Sequence, residues 1–286
     1  MNGILLINKE KGITSRDVVN IAIKKLGIKK IGHTGTLDPI ATGVMVLCIG
    51  KATKLVNLLT SEDKEYIAEV TLGIKTDTLD ITGNILETKK TNIKKEELEK
   101  VIKSFKGKYN QEVPIYSAVK IKGKKLYEYA RNKEEIALPK REVEIHNIEL
   151  LDYNIDNKFT FKCTVSKGTY IRSLIKDICD KLGTIGSMSK LTRTKQGKFK
   201  IEDCINIDSI SKEKIINIKQ ILDYKQIQVD DTLKFKIING QIIENKYNEE
   251  KVLFIDNEDI IALYQEDIKD KTKLKPYIML FERKEW

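Results

Sequence analysis

Strand-type and helix-type segments follow one another in this chain without a regular β-α-β rhythm. That irregular order points away from a doubly wound parallel sheet and toward an α+β fold. "TSRDVVNIAIKKLG" places apolar side chains at Val18, Val19, Ala22, Ile23 and Leu26, the spacing of an amphipathic helix, with Ser15 available as N-cap and Gly27 as terminator. "VMVLCI", residues 44–49, is a short apolar run and reads as a buried strand, and "KATKLVNLL" after it reads as helical. "YIAEVTLG" and the alternating stretches 141–150 and 158–165 read as strands. "KKEELEKVIKSFKG" and "IRSLIKDICDKLG" read as helices, each closed by a glycine. The expected core is a mixed, mainly antiparallel sheet with helices against it.

Near residues 206–225 the pattern becomes a polar, isoleucine-studded helical connector. Beyond it "VLFID", "IIALYQ" and "PYIMLFE" suggest a small β-rich module. The 286 residues accordingly divide into a large domain, 1–225, and an appendage, 226–286. Charge divides the same way. The chain carries +10 overall, yet residues 1–60 hold nine Lys/Arg against three Asp/Glu, residues 103–133 nine against two, and residues 161–200 ten against two. The appendage holds ten against thirteen. Three basic stretches brought together by a fold would make a polyanion footprint; each by itself reads equally as a solvated lysine face.

Several classes of protein are poorly served by this composition. Cys48, Cys163, Cys179 and Cys204 are widely spaced, with no C-x-x-C pair, and His33 and His146 are the only imidazoles. Neither a zinc site nor a histidine-activated nucleophile is well supplied, so no metal is expected. No uncharged apolar run approaches a membrane span, and "MNGILLINKEKG" lacks the apolar core of a secretory signal. A cytoplasmic chain without membrane contact is expected, a monomer in the absence of a heptad seam.

The chain's rare residues gather in "GHTGTLDPIATG", residues 32–43. It is not a P-loop, because Gly43 to Gly50-Lys51 encloses six residues and ends in alanine, nor does it contain G-x-G-x-x-G, so no nucleotide cofactor is implied. Asp38 before Pro39 fits two readings. It is a common turn initiator, its carboxylate satisfying nearby amides, or a carboxylate fixed by proline in a loop whose small residues let a ligand approach. In "SKGTYIRSL", Gly168 permits a tight entry to a helix starting near Tyr170, and Arg172 is either a surface cation or the partner a buried carboxylate needs to stay ionised. Tyr66 opens a strand in "DKEYIAEVTLGIKTDTLDITG", where a ring can serve packing or stack on a base. Asp77 and Asp80 in the same stretch read as turn and structural residues, which leaves a glycoside hydrolase without its second carboxylic acid.

Together, "GHTGTLDPIATGVMVLCIGKATK", "DKEYIAEVTLGIKTDTLDITG", "VPIYSAVKIKGKKLYEYAR" and "VSKGTYIRSLIKDICDKLG…LTRTKQGKF" stand in the order of their counterparts in the TruB family of bacterial tRNA pseudouridine-55 synthases. The resemblance covers essentially residues 3–200, and the appendage resembles that family's short PUA-like domain. What the resemblance implies is an isomerase that converts one uridine in the TΨC arm of tRNA to pseudouridine without cofactor, metal or protein partner. Asp38 matches the family's catalytic aspartate, Tyr66 the tyrosine that stacks on the target base, and Arg172 the arginine that pairs with the aspartate. His33 matches a histidine that helps fill the place of the flipped nucleotide, and Leu191 a leucine beside the target base. Thr36, Tyr170 and Arg193 stand in the same motifs and Lys9 in a less exact version of the family's N-terminal motif, "NKEKGITS"; all four are expected to bind RNA.

The chain departs from the family at Glu10, where a K-P-x-G turn usually has proline, and at Val113, where P-P is usual. Because the uridine is stacked, it must be extruded before C1′ can be reached. The second function considered is a tRNA-binding folding chaperone with secondary catalysis. The acidic appendage is expected to add little phosphate affinity.

Overall fold

The computed structural model describes residues 1–154 and 157–281. Gly3–Lys9 forms strand β1 and Ser15–Leu26 helix α1. Thr14, not Ser15, caps this helix: its hydroxyl accepts from the Asp17 amide while the Asp17 carboxylate takes the Thr14 N–H. The reciprocal pairing satisfies two orphan donors of the first turn and leaves the Ser15 hydroxyl for another task. Gly27 ends the helix at φ 68°, as expected.

Ile31–His33 forms β2 and Thr42–Ile49 forms β3; Gly50–Leu55 winds as a 3₁₀ turn into α2, Val56–Thr60. Lys64–Leu72 is β4, followed by a hairpin of β5, Ile74–Thr76, and β6, Ile85–Thr88. Lys95–Lys103 is α3, which ends on Ser104, short of the glycine expected to close it, because a 3₁₀-type bond from Ser104 already takes the Val101 carbonyl. Gly107–Glu112 is β7; a flap then carries β8, Lys120–Ile121, β9, Lys124–Lys125, and α4, Leu126–Arg131. Lys140–Asn154 is β10, Lys158–Val165 β11, Ile171–Lys181 α5, Gly186–Gln196 β12 and Phe199–Lys200 β13.

Among the described residues these strands make one nine-stranded sheet with the path β1-β3-β12-β4-β11-β10-β7, β2 pairing with β3 and β13 with β12. All but one of its ladders are antiparallel. The exception joins β3 to β12 through Thr42–Thr192 and Gly43–Arg193. Here Gly43 has φ 101°, and a Cβ on it would lie 2.2 Å from the Arg193 carbonyl oxygen. Only glycine fits that approach. Helices α1, α3 and α5 contribute Val18, Val19, Leu98, Ile102, Leu174 and Ile178 to a common core with β4 and β11.

Residues 206–225 are not a helical connector. They form single 3₁₀ turns at Ile207–Ser209 and Lys212–Lys214 and one short helix, α6, Ile218–Ile221. The cause lies in the outer edge of β1, whose backbone groups need partners: Ile4 exchanges hydrogen bonds with Ile216, Ile205 donates to Leu6, and Asn8 donates to Ile205. A helix would have satisfied its own backbone and left that edge bare.

The C-terminal β domain comprises β14, Lys225–Gln228, α7, Asp231–Ile238, β15, Ile243–Glu244, β16, Lys251–Asp256, β17, Asp259–Asp267, and β18, Asp270–Met279, ordered β14-β16-β17-β18-β15. Helix α7 is an addition to the strands expected there, and of "PYIMLFE" the last residue lies outside the described residues. The sheet is two-faced, as a period of two dictates. Val252, Phe254 and Tyr264 build its own core with Ile237, whereas Leu253, Leu263 and Leu280 join a cluster with Ile4, Val44 and Leu55. Removing this domain would therefore open an apolar face of the large one.

Candidate active site

The Asp38 loop is held from three directions before any ligand is considered. The Ser15 hydroxyl released by the Thr14 cap accepts from the Leu37 amide at 2.8 Å and donates to the Leu37 carbonyl at 3.0 Å. Asp38 itself closes a turn, its carbonyl accepting from Ala41 at 3.0 Å. From below, the ammonium of Lys9 donates to the Ala41 carbonyl at 2.7 Å and to that of Glu10 at 2.8 Å. The Gly12 amide reaches the Pro39 carbonyl at 2.8 Å. The turn at Glu10 is thus fixed by hydrogen bonds.

Arg172, in the first turn of α5, meets the exposed side of that loop. Its Nε lies 2.9 Å from Asp38 Oδ2 and its Nη2 3.3 Å from Oδ1, a two-point fork. Two of the three remaining guanidinium donors go to the Thr78 carbonyl and the Tyr116 carbonyl, each at 2.9 Å. Arg172 is 6% exposed, with four of its five donors engaged; Asp38 is half-buried. Burial pushes the Asp38 carboxyl above the usual carboxylate range, Arg172 pulls it back, and the Asp80 carboxylate pushes it up again.

Asp38 and Arg172 sit in a cleft of about 690 Å³ that is also lined by His33, Thr36, Tyr66, Tyr170, Leu191 and Arg193. Tyr66 is buried on β4 with its register partner Arg193 on β12, one pair along from Thr192 and two from Leu191. His33 accepts the Gly35 amide at Nδ1, and burial, then Arg193 and Arg16, lower its pKa, which keeps the ring neutral. Arg193 is 1% exposed: it donates to the Val44 carbonyl at 2.6 Å and the Gly35 carbonyl at 3.2 Å, so it braces the wall of the cleft. Tyr170 lies under the Arg141 guanidinium, 5.4 Å from its ring centre. Lys9 alone of the expected residues does not reach the cleft. It is fully buried behind the loop, and burial lowers its pKa to about 8 against the pull of Asp38.

Sequence reasoning misses Ser15's lock and the carbonyls of Thr78 and Tyr116, since nothing in composition marks them. Lys64 also lines the cleft, with its pKa lowered to about 8 by burial and then by Arg193; its position two residues before Tyr66 on one strand face is an available signal. Asp80 accepts from the Thr82 amide at 2.9 Å and the Thr78 hydroxyl at 3.1 Å, and Asp77 accepts from the Asn84 amide and side chain at 2.9 Å. Both hold the turn of the β5–β6 hairpin. Among the described residues, no group of three His, Cys, Asp or Glu side chains is placed to hold a metal ion.

A half-buried loop carboxylate forked to an arginine, facing a strand tyrosine in a basic cleft, sits on a fold shared with a solved chain of a Cbf5–Nop10–Gar1 complex. The two superpose with a TM-score of 0.73 over 98% of this chain and 85% of that one, at 24% identity. Residues 24–171 match the family described as TruB family pseudouridylate synthase (N terminal domain). The chain is 43% identical over 256 residues to the tRNA pseudouridine synthase B of Caldanaerobacter subterraneus subsp. tengcongensis, covering 88% of this chain and 90% of that protein. It is 44% identical over 273 residues to the tRNA pseudouridine synthase B of Clostridium tetani, covering 93% of each. The chain belongs to the TruB family of pseudouridylate synthases.

Proposed function

We propose that this chain isomerises uridine 55 in the T arm of tRNA to pseudouridine, in the cytoplasm, with Asp38 as the reacting carboxylate. The observation that carries this reading is the Asp38–Arg172 fork at the wall of a cleft that also holds Tyr66. Cleavage of the C1′–N1 bond leaves positive character on the sugar and negative charge on the uracil. A carboxylate at C1′ answers the first, whether by field, by attack or by taking a sugar proton. Each of these needs Asp38 ionised, and Arg172 opposes the burial that would protonate it. The uracil then turns and rejoins through C5, which loses its proton while N1 gains one. Oxidation level is unchanged, and every atom of the product comes from the substrate apart from exchanged protons.

The neighbours suit a flipped uridine. The Tyr66 ring offers a stacking face, Leu191 an apolar wall, and neutral His33 a place at the cleft edge for the stack the base leaves. Arg16 and the flap lysines supply cation density for the RNA backbone. The test is an unmodified tRNA transcript incubated with wild type or Asp38→Ala, with product mapped by a carbodiimide-dependent stop in primer extension. A stop at position 55 with wild type and none with the variant is the expected result. A product made by the variant would remove Asp38 from the chemistry, and wild type that only refolds tRNA would return the chaperone reading.

A further inference from the structure

Helix α5 presents Arg172 from its first turn, yet no side chain within the helix caps that turn. Tyr170, the N-cap residue, has a backbone N–H with no partner inside the helix. Gln111, the penultimate residue of β7, supplies the partner from across the sheet. Its Oε1 accepts the Tyr170 N–H at 2.7 Å, and its Nε2 donates to the Tyr170 carbonyl at 3.1 Å. One fully buried amide thus clasps both backbone groups of a single residue.

The amide cannot be reversed without loss. Nε2 also donates to the Tyr109 hydroxyl at 2.6 Å, and that hydroxyl bonds in turn to the Asp177 carboxylate on α5. Tyr109 therefore donates to Asp177 and accepts from Gln111, which fixes Nε2 and leaves Oε1 for the Tyr170 N–H. From β7, two side chains grip α5 at its start and again at Asp177, with Arg172 between. Two residues past Gln111 the chain enters the flap, whose Tyr116 carbonyl receives Arg172 Nη2 at 2.9 Å.

We propose that Gln111 is a positioning residue that sets the register of α5, and with it the Arg172 fork on Asp38, against the flap. The proposal rests on the pseudouridine-forming reading of the same cleft. It acts without touching RNA, so its signature is in turnover. A displacement of the fork by an ångström is enough to cost about 100-fold in rate.

The experiment measures kcat and KM for a tRNA transcript, and melting temperature, for wild type, Gln111→Leu, Gln111→Glu and Tyr109→Phe. The Nε–H resonance of Arg172, assigned by its disappearance in Arg172→Lys, is followed by proton–nitrogen NMR in each. Gln111→Leu is expected to lower kcat about 100-fold at a temperature where it is folded, with KM within about threefold of wild type and the Arg172 signal moved toward that of a free arginine. Tyr109→Phe, which keeps the clasp but removes both the acceptor for Gln111 Nε2 and the donor to Asp177, should lose about tenfold. In Gln111→Glu an ionised carboxylate faces the Tyr170 carbonyl, and protonation restores a donor. Its kcat divided by that of wild type at the same pH should therefore rise as pH falls, a ratio from which the titration of Asp38 cancels.

A Gln111→Leu protein with kcat within about threefold of wild type, or with raised KM and unchanged kcat, overturns the proposal. If Gln111→Leu does not fold, a pH-independent ratio for Gln111→Glu together with unchanged turnover in Tyr109→Phe overturns it. Wild type without activity would defeat the functional reading instead, and the Arg172 resonance would still decide the positioning.

Discussion

The two sheets of this molecule treat charge in opposite ways. The nine-stranded sheet and the helix against it bury Lys9, Lys64, Arg172 and Arg193 at or behind one cleft, each donating to carbonyls or a carboxylate. In the C-terminal sheet, Lys225–Glu249, Lys234–Asp256 and Lys273–Asp270 pair at the surface, and the interior is Val252, Phe254, Tyr264 and Leu274. Buried cations need excellent partners and are weak contributors to stability, whereas exposed pairs contribute almost nothing. Among the described residues, their concentration in one sheet and absence from the core of the other marks where the molecule gives up stability to hold a site.

The largest difference between the sheets should appear on Asp38→Asn. Product formation is expected to fall by about 10⁴-fold or more. A tenfold loss would sink the assignment. Next comes Arg172→Met, which leaves Asp38 without its fork: about 3 kcal/mol of stability should go, the low end for a broken pair because Asp38 is only half-buried, along with activity. Arg172→Lys should keep most of the stability and lose about 100-fold in kcat, since an ammonium cannot make the fork; chemical denaturation and single-turnover rates separate the two.

How much of this contrast can be read in advance depends on what marks a residue. Asp38, Tyr66 and Arg172 are legible because each stands in a motif whose order along the chain is informative, and the strands are legible from alternation. The cap of α1 falls on Thr14 instead of Ser15 although its signal is present: Asp17 lies three residues after Thr14, and both adjacent hydroxyls are good caps, so only the reciprocal acid distinguishes them. The 206–225 segment misleads because its isoleucines serve the edge of β1, at the far end of the domain's sequence, and no local pattern carries that demand. Gln111 is invisible for the same reason. A glutamine in "YNQE" looks like surface until the backbone it clasps arrives from residue 170.

Two smaller measurements sharpen the comparison. Lys9 has a folded pKa of about 8 against an ordinary value of 10.5. Between those values the unfolded chain holds the proton that the folded one has released, so this group's contribution to stability rises with pH across that window and the cost of its burial is fully present below it. The stability difference between wild type and Lys9→Met should shift in favour of wild type from about pH 8 to about pH 10; a parallel pair of pH profiles would place Lys9 in contact with water. Smallest of all, Lys225→Ala should move the melting temperature by less than about 2 °C and leave the salt dependence of tRNA binding unchanged. Lys167→Ala, exposed beside the cleft, should reduce the slope of log affinity against log salt by about one. Equal slopes for the two variants would erase the division between a gripping sheet and a bystander.

Strand β12 enters the middle of the large sheet although it is nearly the last of its strands to be made. During synthesis β3 and β4 leave the ribosome more than a hundred residues ahead of it, and they cannot pair with each other without closing the slot it must occupy. Until about residue 196 has emerged, the nascent chain carries two open, apolar strand edges facing a gap. The growing protein is therefore open to mispairing from the emergence of β4 until β12 arrives, and a pause in translation anywhere between the two prolongs that exposure.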